Sequence, residues 1–236
     1  MQTLGRPPKG LARFNREKRV LDVIAVLVSA PLSLTLGGVA YAAALVAVGR
    51  PVFYTQRRLG YLEREFQLLK FRTMTNETDE AGRLLSDAER ITKFGSFLRK
   101  TSLDELPQLI NVLRGDMSLV GPRPLFVEYR EHYLPHERKR HWVRPGITGL
   151  AQTSGRNSLL WDQRLQLDSE YVERANLAED IRILARTVVK VLGSSEVSAV
   201  AGETGEPLDV VRSYPRLKGY ALRRLELVDI PLRVAW

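Results

Sequence analysis

The chain has no cysteine in its 236 residues. Disulfide bonds, thiolate metal sites and cysteine nucleophiles are therefore excluded, an absence that fits a reducing compartment. Histidine is also scarce, and only His132 and His136 have the i, i+4 spacing of a metal-binding pair. Pro135 interrupts the helix that would align them, so a structural role is preferred to a zinc site. No internal repeat, low-complexity tract or nucleic-acid-binding motif is recognisable, and nucleic acid is not an expected partner.

Positive charge, by contrast, is in excess. The formal net charge of +9 predicts an anionic partner, such as an acidic membrane surface or a phosphorylated small molecule. A chain of this length favours one main domain with attachments.

One apolar segment decides the environment of the chain. Residues 23–48 carry no charged side chain, and as a helix they extend roughly 39 Å, longer than the ~30 Å hydrocarbon core of a bilayer. A cleaved signal peptide is the alternative, but the segment is long for the apolar region of such a peptide. The segment therefore predicts insertion in a membrane.

The apolar segment is predicted to be re-entrant, with a helix-break-helix bend at Ser29 and Pro31. Pro31 removes a backbone hydrogen bond, and hydroxyls of Ser29 and Ser33 are available to the freed carbonyls. A bend that returns to the leaflet of entry keeps both basic flanks on the cytoplasmic side. The alternative is an ordinary spanning helix with a proline kink. The basic flanks are Arg13, Arg16, Lys18 and Arg19 before the segment and Arg50, Arg57 and Arg58 after it.

The rest of the chain predicts a helix-rich α/β fold. Two short strands around Gly60 form a hairpin that carries Lys70 and Arg72, and residues 79–98 form short helices separated by glycines. A further helix begins close to Asp104 and ends at Gly115. Residues 177–192 have a basic amphipathic pattern, for which packing on the domain is the first expectation and an interfacial position on lipid the second. The apolar face predicted for this helix comprises Ile181, Leu184, Ala185, Val188, Val191 and Leu192.

Asp104 and Glu105 are an adjacent acid pair in the stretch "RKTSLDELPQL". Neighbouring residues on a helix project about 100° apart, so the two carboxylates are expected to have different tasks. Pro107 belongs in the first turn of a helix, and a helix N-terminus favours anions. A purely structural alternative is that Ser102 and Glu105 form a capping box that only starts the helix.

Basic residues in glycine- and proline-bounded stretches accompany the acid pair. The loops "SLVGPRPL" and "VRPGITGLAQTSGRN" supply arginines that are expected to converge on one site with cations of the hairpin. A carboxylate beside such a cluster can hold Mg²⁺ together with a diphosphate. The pattern indicates phosphoryl chemistry at a membrane face. The predicted substrate-binding residues are Lys70, Arg72, Arg99, Arg123, Arg144 and Arg156.

The motifs "KRVLDVIAVLVSAPLSLTL", "PVFYTQRRLG", "KFRTM", "LRKTSLDELPQLINVLRGDMSLVGPRPL" and "VRPGITGLAQTSGRN" occur in this order between about residues 17 and 193. In sequence they resemble the bacterial sugar transferases, the monotopic phosphoglycosyl transferases. The resemblance implies transfer of a sugar 1-phosphate from a UDP-sugar to undecaprenyl phosphate with release of UMP. It also implies a re-entrant membrane helix, although Ser29 is here separated from Pro31 by Ala30 whereas the family often has adjacent Ser and Pro.

The family's acid pair corresponds to Asp104 and Glu105. The resemblance implies that Asp104 is the nucleophile that forms an aspartyl phosphosugar, and that Glu105 holds Mg²⁺ against the diphosphate. Lys70, Arg99, Arg123 and Arg156 fall in the family's phosphate-binding motifs. The implied location is the cytoplasmic face of a bacterial inner membrane, in contact with membrane lipid, and the implied pathway is synthesis of an exopolysaccharide or other glycoconjugate.

Two alternatives stay open at this point. One is the same reaction by direct attack of the lipid phosphate in a ternary complex, and the other is a non-enzymatic, membrane-anchored basic adaptor. The transferred sugar is not readable from the residues, and a homodimer is one option for the assembly. The expected organisation is a basic leader at 1–16, the re-entrant helix at 17–49, a cytoplasmic catalytic domain at 50–193 and a C-terminal extension of unknown role at 194–236.

Overall fold

The computed structural model describes residues 4–155, 159–193 and 207–213. Over these ranges the fold is helix-rich, with a long apolar N-terminal helix and a small antiparallel hairpin. The helices are α1 (Lys9–Val48), α2 (Asp87–Arg90), α3 (Lys93–Thr101), α4 (Gln108–Arg114), α5 (Leu150–Ser154), α6 (Trp161–Arg174), α7 (Leu177–Gly193) and α8 (Leu208–Ser213). The strands are β1 (Phe53–Leu59), β2 (Glu65–Phe71), β3 (Ser118–Val120) and β4 (Gly146–Thr148).

Helix α1 is the one helix among the described residues that is long and apolar enough to cross a membrane. Helical structure continues through Pro31, so the two helices predicted on either side of a break form instead one helix with proline in its interior. The Ser29 hydroxyl donates to the carbonyl of Val26, and the Ser33 hydroxyl donates to those of Ser29 and Ala30. These hydroxyls bond carbonyls near Pro31 rather than the carbonyl of Leu27, four residues before it, which loses its donor because proline has no N–H.

Both ends of the apolar part of α1 pack against the same globular unit. Val26 is buried in a cluster with Leu68 of β2, and Ala40 and Ala44 are buried in a cluster with Phe71 of the same strand. The turns between these two contacts expose large apolar side chains, as expected of a surface that faces lipid rather than water. Exposed residues of this stretch are Leu27, Val28, Leu32, Leu34, Leu36 and Val39.

The predicted hairpin is confirmed. Strands β1 and β2 pair antiparallel, with Tyr54 opposite Lys70 and Leu59 opposite Glu65. Arg72 follows directly after β2, where its side chain donates to the carbonyls of Val48 and Gly49. The hairpin therefore carries Lys70 toward the helices and uses Arg72 to hold the end of α1.

The stretches predicted as irregular loops contain short regular elements, and this prediction was wrong. Strands β3 and β4 pair in parallel, with Ser118 opposite Gly146, and α5 follows β4. A Cβ at Gly121, Gly146 or Gly149 would overlap backbone atoms of the opposing segment. The glycines that suggested loops thus permit two backbones to approach closely enough to pair.

Helix α7 confirms the predicted amphipathic helix but not its expected orientation. Ile183 and Asp180 are buried, and Asp180 forms a buried ion pair with Lys18 of α1. The described members of the predicted apolar face are exposed, so packing by that face was wrong; the Leu192 side chain lies outside the described part of the structure. The buried pair with Lys18, together with a hydrogen bond from the Tyr171 hydroxyl to Asp180 of 2.7 Å, sets the rotation of the helix. The exposed apolar residues of α7 are Leu177, Ile181, Leu184, Val188, Val189 and Val191.

The described part of the C-terminal extension packs on the domain. Leu208 of α8 is fully buried in a cluster with Leu59 and Leu165. Arg212 donates to both carboxylate oxygens of the buried Glu137 at 2.7 Å. Residues 207–213 are therefore part of the core, while the remainder of the extension lies outside the described residues.

Candidate active site

Asp104 and Glu105 lie on a 3-10 turn, Leu103–Glu105, between α3 and α4. Ser102 ends α3 with φ 58° and ψ 16°, in the left-handed region, and its backbone N–H donates to carbonyls of α3. Its side chain makes no cap, so the capping box considered as the structural alternative does not form. Since the turn, rather than the first turn of α4, carries the acids, the structural alternative no longer accounts for the pair.

Lys70 connects the hairpin to both acids. Its Nζ atom donates to Glu105 Oε1 at 2.7 Å and lies 3.9 Å from Asp104 Oδ2. The Arg123 guanidinium is 3.6 Å from the same Glu105 oxygen. The structure therefore brings together four of the predicted residues, with the two cations closer to Glu105 than to Asp104.

The two carboxyls have opposite pKa shifts. Burial raises the pKa of Asp104 to about 6, with Glu105 adding to the rise and Lys70, Arg99 and Arg123 opposing it. Burial also acts to raise the pKa of Glu105, but Lys70 and Arg123, with hydrogen bonds from Lys70 and Gln108, outweigh it and lower the pKa to about 2. Two adjacent carboxyls with separated pKa values are typical of groups with different chemical tasks. Asp104 therefore has the more basic carboxylate, and Glu105 stays ionised to lower pH.

Arg99 reaches the site from α3. Its Nε donates to the Thr73 hydroxyl at 3.0 Å, and its charge acts on Asp104. Helix α3 lies so close to Thr73 that a Cβ on Gly95 would overlap the Thr73 carbonyl. Gly95 therefore allows the approach that places Arg99 beside the acid pair.

The remaining predicted residues do not meet at this point. Arg72 bonds the end of α1. Arg144 donates to Gly115 O at 2.8 Å and stacks on the Tyr61 ring at 5.4 Å. Arg144 thus lies at the C-terminal end of α4, whereas Asp104 precedes its N-terminal end. Arg156 lies outside the described residues.

Comparison with known proteins identifies the family of the chain. Residues 13–194 match the sequence profile of the family described as bacterial sugar transferase. The chain belongs to the bacterial sugar transferase family. It is therefore a transferase.

Relatives of this sugar transferase include both short and longer proteins. It is 44% identical over 189 residues to an uncharacterized sugar transferase, EpsL, of Bacillus subtilis, covering 80% of this chain and 94% of the relative. It is 43% identical over 189 residues to a UDP-glucose:undecaprenyl-phosphate glucose-1-phosphate transferase of Xanthomonas campestris, covering 75% of this chain but 38% of the relative. A protein of the same name from Caulobacter vibrioides is 40% identical, with 74% of this chain and 69% of the relative covered.

Sequence analysis did not identify two buried polar residues of α4, the helix that follows the acid pair of this sugar transferase. Asn111 is fully buried in α4, accepts from Leu69 N at 3.0 Å and donates to Gln67 O at 2.8 Å. Gln108, also buried, hydrogen-bonds Glu105. Asp104, Gln108 and Asn111 follow one another at intervals of about one helical turn. A polar residue that recurs on the inward face of an amphipathic helix is the signal that would have identified Gln108 and Asn111.

The two carboxylates of the acid pair are the type of donor that Mg²⁺ takes from a protein. Mg²⁺ is usually held by one or two carboxylates, with substrate phosphates and water completing its ligands. Glu105 is ionised at neutral pH because its pKa is low. Among the described residues no group of three or more acidic or histidine side chains converges, so the two carboxylates of the acid pair are the donors that the site offers to such an ion.

Proposed function

We propose that this sugar transferase moves a sugar 1-phosphate from a UDP-sugar to undecaprenyl phosphate and releases UMP. The observation that carries the proposal is the buried Asp104 carboxyl with a raised pKa, placed 3.9 Å from Lys70 at the base of a membrane helix. Relatives named as UDP-glucose:undecaprenyl-phosphate glucose-1-phosphate transferases support the donor and acceptor classes.

The proposed reaction has two displacement steps at one phosphorus. In the first, an Asp104 carboxylate oxygen attacks the sugar-bearing phosphorus of the UDP-sugar, the bond to the UMP oxygen breaks, and UMP leaves as an anion. In the second, an oxygen of undecaprenyl phosphate attacks the same phosphorus and the bond to Asp104 breaks, which regenerates the carboxylate. No proton is consumed, so Asp104 must be ionised before the first step. Lys70, Arg99 and Arg123 offset the repulsion between the carboxylate and the diphosphate.

Glu105 is assigned to magnesium in this scheme. When bound, Mg²⁺ would neutralise charge on the diphosphate and on the departing UMP. Gln108 and Lys70 hold the Glu105 carboxylate in place, and Lys70 is positioned to turn from Glu105 toward substrate phosphate. The two-step route lets the anionic donor leave as UMP before the anionic acceptor arrives, so a single basic site serves both.

Labelled UMP tests the covalent route. Purified protein with Mg²⁺ and a UDP-sugar, but no lipid acceptor, is expected to exchange labelled UMP into the UDP-sugar and to gain the mass of a phosphosugar. Asp104→Asn is expected to abolish both signals and to reduce turnover by at least about 10³-fold. Absence of exchange with normal turnover would favour direct attack by the lipid phosphate in a ternary complex. A panel of UDP-sugars in the same assay identifies the donor.

We further propose that α1 is re-entrant, with both flanks on the cytoplasmic face of a bacterial inner membrane. Support comes from Val26 and Ala40, which pack against one strand of one domain from the two ends of the apolar segment. The exposed apolar side chains of α7 would lie in the membrane interface beside it.

The lack of cysteine makes this topology testable with single reporters. Gly10→Cys and Arg50→Cys place one thiol before and one after the apolar segment, both at exposed positions. An impermeant maleimide is expected to label neither in intact spheroplasts and both after the membrane is opened. Labelling of one position alone in intact cells would show a spanning helix.

A further inference from the structure

A second basic site lies at the opposite end of α4 from Asp104. A cavity of about 300 Å³ opens there between the start of α1 and the segment that precedes β4. We call it the α1 basic cleft. Its lining residues are Ala12, Asn15, Arg16, Arg19, Tyr61 and Arg144.

The three arginines of the α1 basic cleft have no carboxylate partner within ion-pair distance among the described residues. Arg19 donates to the carbonyls of Val112 and Leu113, and Arg144 donates to Gly115 O at 2.8 Å. By contrast, Arg13 on the same helix pairs with Glu17 at 2.7 Å. Carbonyl oxygens hold the guanidinium groups of Arg19 and Arg144 in place. The Asp22 carboxylate acts on Arg144 from beyond ion-pair distance, so neither group is in contact with a carboxylate among the described residues.

Crowding of these cations is unfavourable without an anion. Burial, and then the neighbouring Arg19, lower the pKa of Arg144. The Tyr61 ring lies under Arg144 with a separation of 5.4 Å and keeps the guanidinium plane oriented. Planar, pre-positioned guanidinium groups are suited to bidentate contacts with phosphate oxygens.

The cleft lies beside the start of the apolar run of α1, where a membrane-inserted helix would meet lipid headgroups. Arg19 is one helical turn before Val23, where the uncharged run begins, and Val20 and Ile24 expose their side chains to the surroundings. The seven residues of α4 alone separate the cleft from the acid pair by roughly 10 Å along the helix axis. An attacking oxygen must come within about 3.5 Å of the phosphorus, so a group held in the cleft is not in position to react at Asp104.

We propose that the α1 basic cleft binds a phosphate group that is not a reactant, with the headgroup of an anionic membrane phospholipid as its source. The three guanidinium groups contact the phosphate oxygens, and the acyl chains lie along the exposed apolar side chains of α1. Such a lipid would fix the depth and rotation of α1 relative to the domain. Inorganic phosphate shares the headgroup chemistry and is the competing source.

Thermal unfolding of the full chain in detergent tests the proposal. The protein is titrated with dihexanoyl phosphatidylglycerol, with dihexanoyl phosphatidylcholine, and with inorganic phosphate. The variants are Arg16→Gln and Arg13→Gln. Arg16→Gln removes a cleft cation that makes no hydrogen bond or ion pair among the described residues, and Arg13→Gln is a matched change on the same helix outside the cleft. Arg19→Gln is a second cleft variant, with helical content checked by circular dichroism.

The melting temperature of the wild-type protein is expected to rise more with dihexanoyl phosphatidylglycerol than with dihexanoyl phosphatidylcholine. Arg16→Gln is expected to raise the apparent Kd at least about five-fold, while Arg13→Gln changes it less than two-fold. A stabilisation by inorganic phosphate that depends on Arg16 in the same way would support the phosphate site and assign it to a soluble anion. Unchanged titrations of both Arg16→Gln and Arg19→Gln, or equal effects of the two lipids, would overturn the proposal.

Discussion

Replacing Lys70 with methionine is expected to shift the acid limb of the pH–rate profile toward higher pH. The proposed mechanism requires the Asp104 carboxylate, whose pKa is raised to about 6, so we expect the rate to fall as the pH drops through this value. Lys70 Nζ lies 3.9 Å from Asp104, and at an effective dielectric constant of about 20 this pair is worth about 4 kcal/mol. Solvent and the remaining cations, Arg99 and Arg123, reduce the net effect, and we expect the pKa to rise by about 1–2 units.

The sign of the shift distinguishes this reasoning from a general loss of activity. Removal of a cation disfavours the carboxylate, so Asp104 stays protonated to a higher pH and the limb moves toward alkaline values. The first half-reaction, measured as single-turnover UMP release without acceptor, is the suitable assay. The diphosphate of a UDP-sugar is fully ionised over the range of interest, whereas the acceptor phosphate titrates near the same pH.

Lys70→Arg is the control for this experiment. It retains the charge beside Asp104 and is expected to leave the acid limb within about 0.5 units of the wild type, even if the rate is lower. An acid limb at the same pH in the wild type and in Lys70→Met would refute the assignment of the limb to Asp104.

The other predictions concern positioning and stability. Asn111→Ala leaves two backbone groups of β2 without their partner and should lower the unfolding free energy by about 2–4 kcal/mol in urea titrations; a loss below 0.5 kcal/mol would contradict this role. Gly95→Ala should reduce kcat at least about ten-fold by pushing α3 from Thr73, whereas Gly10→Ala, with open space around it, should leave kcat unchanged. Arg212→Ala leaves Glu137 buried without its cation and should lower the free energy of unfolding by about 3–5 kcal/mol. Arg83→Ala removes an exposed ion pair and should change the melting temperature little.

Much of the site was predictable because its signals are local. The acid pair, the hairpin with Lys70 and the glycine that ends α4 each depend on a few consecutive residues, and the structure has the hairpin and the stop where the patterns predict them. The position of Arg144 was not predictable in this way. Its motif suggested that Arg144 lies beside Arg123. The parallel pairing of β3 and β4 instead places Arg144 at the C-terminal end of α4, the end farther from Asp104.

The orientation of α7 shows the same limit. Hydrophobic periodicity predicts that the larger apolar face of α7 is buried, because the rule assumes that the protein is surrounded by water. The structure buries Asp180 and Ile183 instead, because Asp180 meets Lys18 across more than 160 residues of chain. A long-range ion pair of this kind leaves no mark in the local pattern, and a membrane, rather than a core, is the environment that the exposed face suits.

The sequence by itself determined that the chain has an uncharged segment of membrane length, an adjacent acid pair and the motifs of a sugar transferase, because these depend on residue type and short spacing. The tertiary structure alone decided which cations surround Asp104, how burial separates the pKa values of the two acids, and that Arg144 belongs to a second basic cleft. Distances between side chains from different elements set each of these properties, and those distances exist only once the helices and the hairpin have packed.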